Sequence, residues 1–129
     1  MNPAHARIAL LGLVLLATAC AARSPGRPTE DRNVLSSEEM LKAGYPDAYA
    51  TVQALRPRWL QRRGATSIRN EATIKVYLDG SLLGGLESLK QITTRSISTI
   101  RHYDELEATS RWGLDHGQGA IAVSTRKTE

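Results

Sequence analysis

Few residues in this chain could do chemistry, and they are widely spaced. The three histidines are His5, His102 and His116. His102 stands two residues before Asp104, and Asp115 directly precedes His116. A histidine beside a carboxylate can move protons or begin a metal site. The spacings match no zinc or protease pattern that carries a mechanism. Asp115 and His116 also sit in a glycine-rich stretch, where polar turn residues are expected on other grounds. Ser96, Ser98 and Ser124 have no nucleophile-elbow sequence around them. Gly113-x-x-x-Gly117-x-Gly119 lacks the Lys-Ser/Thr of a phosphate loop, and a strand pattern follows it instead of a helix. Asp79-Gly80 reads as a turn, since a type I′ hairpin needs positive φ at both positions. The expectation is a protein with no catalytic residues, no cofactor and no metal. The competing class is an enzyme using His102 or His116.

The elements that must position these residues centre on 97–126. Ile97 to Tyr103 reads as a strand, and a short helical pattern runs to Trp112. Gly113, Gly117 and Gly119 then turn the chain back, supplying backbone angles that other residues resist. In Ala120 to Thr125, β-branched Ile121, Val123 and Thr125 alternate with small Ala122 and Ser124. That gives one apolar face and one small-residue face. Upstream, Ile74, Val76 and Leu78 share a strand face, and Ser81-Leu82-Leu83 returns as a short edge strand. Leu86, Leu89 and Ile92 mark a short amphipathic helix. Nearer the N-terminus, Ser36 and Glu39 have capping-box spacing, and Gly44 stops the helix that they open. Pro46 starts a second helix, with Tyr49, Val52 and Leu55 along one face, and Pro57 breaks it near Arg56. A further turn carries Trp59 and Leu60, and the polar residues 65–73 read as a loop. The predicted fold class is α+β. Three main strands, near 74–78, 97–103 and 120–125, form a small sheet packed with short helices.

The chain has 129 residues, a formal charge of +4, one cysteine and no phenylalanine. That length allows one domain at most. Ile8 to Leu16 is an apolar run behind Arg7, far short of the roughly 20 residues that span a bilayer but suited to an export signal. Ala17-Thr18-Ala19-Cys20 follows, and it resembles the lipobox of bacterial lipoproteins, with Ala17 where a larger aliphatic residue is usual. The resemblance implies removal of 1–19 and acylation of Cys20, palmitate included. It implies anchoring in the cell envelope, and the lack of Asp after the cysteine resembles lipoproteins sorted to the outer membrane, facing the periplasm. The other reading is an ordinary signal cut before Cys20, which leaves a free thiol. Acyl burial is worth about 0.8 kcal/mol per methylene, so a multiply acylated Cys20 would hold almost permanently.

Residues 20–33, with Pro25, Gly26 and Pro28, form a tether with a reach of roughly 20 Å. The folded domain then occupies 34–129. An exported protein meets little nucleic acid, so the positive charge points to acidic phospholipid or an acidic partner surface. Arg56, Arg58, Arg62, Arg63 and Arg69 cluster around Trp59. One reading is a solvated basic face over a core tryptophan. The other is a membrane or partner contact, with Trp59 at the interface.

The back half resembles the plug domain of TonB-dependent outer-membrane receptors. The residues that carry this are Val76-Tyr77-Leu78-Asp79-Gly80, Leu86-x-x-Leu89-x-x-Ile92 and Ile97-x-x-Ile100. Ala108, Trp112-Gly113, Gly117, Gly119-Ala120-Ile121-Ala122-Val123 and Thr125-Arg126 complete it, so that it covers 74–126. Trp112 stands where plugs have tyrosine, and Gln118 interrupts the glycine pair. The front half, with Leu55-Arg56-Pro57-Arg58-Trp59-Leu60, departs from plugs and looks like small plug-like lipoproteins of diderm bacteria. No barrel follows in these 129 residues. The resemblance therefore implies a plug-like domain that serves as a non-enzymatic binding or accessory module. Its expected partners are the membrane, through Cys20, and an envelope protein such as an outer-membrane barrel. Ser81 to Leu83 offers a docking edge for strand addition. A structural surface lipoprotein without a dedicated ligand is the plainest alternative.

Overall fold

The computed structural model describes residues 31–62 and 73–127. The expected export signal, Cys20, the expected tether up to residue 30, Arg63, Arg69 and most of the expected loop at 65–73 lie outside the described residues. Strands β1 (Val34–Ser36), β2 (Lys75–Leu78), β3 (Ser81–Gly84), β4 (Ile97–Tyr103) and β5 (Ala120–Thr125) form one sheet. Their order is β1-β4-β5-β2-β3. β2 and β5 run parallel, and the other neighbours are antiparallel. The fold class is α+β, but with five strands where three were expected. The two additional strands are the edges. β1 has only three residues, too few for alternation to be legible, and it forms because β4 offers a pairing edge: Leu35 sits opposite Ile100. β3 is the short return strand, joined to β2 by Asp79-Gly80.

Among the described residues three α-helices accompany the sheet: α1 (Ser37–Ala43), α2 (Ala48–Leu55) and α3 (Glu105–Trp112). Ser36 caps α1 by accepting from the Glu39 amide at 3.3 Å. The Glu39 carboxylate meets Arg56 at 3.1 Å, which joins α1 to the end of α2. Asp47, not Pro46, caps the second helix, accepting from the Ala50 amide at 2.8 Å. Pro57 ends that helix and begins a 3₁₀ turn over Pro57–Leu60. The segment Leu86–Gln91 is 3₁₀ and not α-helical.

The sheet is covered on both faces, and the alternation of β5 explains how. Ile121 and Val123 join Leu35, Ile100 and Val76 in the larger core, under α1, α2 and the 3₁₀ turns. Burying each such side chain contributes roughly 1.5–3 kcal/mol. The small face of β5 lies against α3. There Ala120 and Ala122 leave room for Tyr77, Tyr103 and Trp112, with Ala108 of α3 fully buried among them. Small residues on the strand are what admit three large rings above it.

Candidate functional site

The two histidines of the chemical reading lie on opposite faces of the sheet. His102 shares the face of Ile100 and stacks on Trp59 at 5.4 Å between ring centroids. His116 lies in the 3₁₀ turn Leu114–His116 on the other face, stacked against Tyr77 and Trp112. They do not form one centre. Asp104 caps α3 by accepting from the Glu107 amide at 2.8 Å. Among the described residues no three of His, Cys, Asp and Glu converge as a metal-holding group. The serines tie backbone together. Ser98 donates to the carbonyls of Ser124 and Thr125, and Ser96 to that of Thr93.

His116 is only 3% exposed, and both of its ring nitrogens are bonded. Nδ1 lies 2.9 Å from the Gly113 carbonyl, and Nε2 lies 2.7 Å from the Tyr77 hydroxyl. A carbonyl can only accept, so Nδ1 carries a proton and donates. In the neutral ring Nε2 then accepts from the tyrosine. Burial pushes the Tyr77 hydroxyl above its ordinary range, which keeps it protonated and able to donate. The pair fixes the turn that returns the chain to β5. In the sequence His116 reads as a turn residue, and the bond is not legible there because Tyr77 is 39 positions away. Tyr77→Phe should cost about 1–3 kcal/mol, since a buried acceptor loses its donor. Urea unfolding of the two proteins measures the difference. His116→Ala should cost as much or more, so it is not a neutral probe of catalysis.

Asp79 and Gly80 make the expected type I′ turn, with φ values of 48° and 87°. Asp79 also does something that the turn motif does not announce. Its carboxylate accepts from the Thr125 hydroxyl at 2.6 Å and from the Thr125 amide at 2.8 Å. Its own amide donates to the Val123 carbonyl. The hairpin tip is thereby bound to the end of β5. The Thr125 hydroxyl, then its amide, and then the charge of Lys127 hold the Asp79 carboxyl below its usual range. A lowered carboxyl pKa stabilises the fold above the unfolded value, roughly pH 4, and that contribution is lost as pH falls through the folded value. Asp79→Asn should therefore unfold more easily than the parent at pH 7. The gap should close between pH 4 and pH 2, as thermal melts across that range would record.

The arginine cluster divides. Trp59 is 5% exposed and belongs to the larger core. The reading that sets it at a membrane or partner interface is therefore corrected: the 3₁₀ turn after Pro57 points the indole inward onto His102. Arg56 is half-buried, ion-paired with Glu39, and donates to the Leu55 carbonyl at 3.0 Å. Arg58 and Arg62 are exposed. Of the glycines at the α3–β5 connection, Gly113 and Gly119 have φ of 103° and 82°. Gly117 has φ of −60° and does not require glycine, which corrects its assignment as an obligatory turn residue.

The remaining surface feature is β3 at the sheet edge. Leu82 is 57% exposed and Leu83 is also exposed. A register shift between Val76 and Tyr77 puts two residues of β3 against one step of β2. A pairing edge with exposed leucines can add a strand from another chain. Comparison with known proteins finds no family model that matches the chain, no similar curated protein and no similar solved structure.

Proposed function

We propose that this chain is a lipid-anchored protein of the cell envelope whose 34–129 domain is a plug-like binding or accessory module, not an enzyme. After 1–19 is removed, Cys20 carries the acyl chains. The tether then keeps the domain close to the outer membrane, on its periplasmic side. The partner is another envelope protein, such as an outer-membrane barrel, and neither a cofactor nor nucleic acid takes part. The observation that carries this reading is the β3 edge, which no further strand pairs among the described residues and where the exposed Leu82 and Leu83 fit strand addition better than solvent. The ordered resemblance to receptor plugs supports it from the sequence side. Fold likeness alone does not transfer function, so the anchor and the edge are tested separately.

The anchor is tested by feeding labelled palmitate to cells that make the protein. The label should enter the full chain and its membrane fraction, and Cys20→Ser should take up none. Label that never reaches the protein, or that persists in Cys20→Ser, removes the anchor from the account.

A further inference from the structure

Among the described residues, the two most exposed large apolar side chains lie on one segment. Leu106 in α3 is 80% exposed, and Leu114 just beyond it is 91% exposed. α3 packs Ala108 and Trp112 onto the sheet. A helical turn of 3.6 residues then sends Leu106 and Ser110 outward, with Glu107 and Arg111 together on one flank and Glu105 and Thr109 on the other. Asp104, Glu105, Leu106 and Thr109 line a surface cavity of about 410 Å³. None of Glu105, Glu107 and Arg111 takes part in an ion pair among the described residues. Arg111 lies over the Tyr103 and Trp112 rings, 5.5 and 5.2 Å from their centroids, which holds its charge at the end of the helix.

We infer that α3 pairs with the α3 of a second copy, antiparallel about a two-fold axis near Thr109. The helix is complementary to itself in that arrangement and in no parallel one. An axis at position 109 sets 107 against 111 of the other copy. Glu107 and Arg111 occupy the same flank, and a two-fold keeps equal flanks together, so two Glu107–Arg111 pairs form across the contact. On the outward face, the exposed Leu106 of each copy lies beside Ser110 of the other. The contact is isologous and closes at two subunits. Small Thr109 and Ser110 at the crossing point let the helices approach. Two helical turns fall below the roughly 1,200 Å² of a standard interface, so the pairing is weak in dilute solution and strengthened wherever the protein is concentrated. The inference does not depend on the lipid anchor.

The test uses the purified full chain carrying Cys20→Ser and Ser110→Cys, treated with a short bis-maleimide. A dimer band should form, well above that from Lys42→Cys on α1, which lies on the other side of the sheet. Glu107→Arg and Arg111→Glu should each lower the yield about fivefold, because two exposed pairs turn repulsive together, and the double exchange should restore most of it. Arg111 also packs on aromatic rings, so Leu106→Ser is the second variant. It changes a nearly free side chain, should leave the fold intact by circular dichroism, and should lower the yield as well. Dimer no stronger than the Lys42→Cys control, or no rescue by the charge exchange, overturns the pairing. A Ser110→Cys crosslink that appears only in cell extract, to a different protein, also overturns it and gives the surface to that partner.

Discussion

Gly119→Ala should destroy the folded domain. A Cβ at this position would lie 2.5 Å from the Tyr103 carbonyl oxygen, and the φ of 82° is strained for any L side chain. The positive φ alone costs roughly 1–2 kcal/mol. The contact is with backbone, so no rotamer change relieves it. Relief requires β4 and β5 to part where Tyr103 pairs with Ala120, in the middle of the sheet. The expected total exceeds about 3 kcal/mol, beyond what most single substitutions cost and enough to unfold a marginal domain of this size. Gly117→Ala is the internal comparison, two residues away. Its φ of −60° suits alanine and its Cβ would meet nothing within 4 Å. It should be neutral or more stable by up to about 1 kcal/mol. Equal effects of the two substitutions in urea titrations would contradict the structure of this turn.

Trp59→Ala should be the most damaging of the substitutions in the arginine cluster, at about 3–5 kcal/mol. The indole is buried in the larger core, and His102 stacks on it. Arg58→Glu with Arg62→Glu should change stability by less than about 0.5 kcal/mol, because both side chains are exposed. If the tryptophan lay at a membrane surface, the order would reverse. Trp59→Ala would then spare stability and weaken vesicle binding. Guanidinium melts of the three proteins decide between the two.

Much of this fold was legible from local pattern. The 97–103 and 120–125 strands, the Ser36 cap and the Asp79-Gly80 hairpin each depend on residues close together in the chain. The features that were not legible depend on distant ones. β1 exists because β4 leaves an edge for it, and a three-residue Val-Leu-Ser segment carries no signal of that. The Tyr77–His116 bond and the clamp of Asp79 on Thr125 join residues brought together only by the parallel pairing of β2 with β5. The small face of β5 is legible as small, but its purpose is not. Ala120 and Ala122 make room for an aromatic group in which Tyr77 and Trp112 stack at 4.3 Å. Strand alternation and the helical return put His102 and His116 on opposite sides of the sheet.

The claim on which the functional account rests is that β3 is an edge held open for a partner. Site-specific photo-crosslinking from position 82, in intact cells making the full chain, tests it most directly. The account predicts a discrete adduct with one envelope protein, absent when the probe is placed at the exposed Arg58 on another surface. Diffuse products, or the same bands from both positions, would contradict it and leave a surface protein with no dedicated ligand.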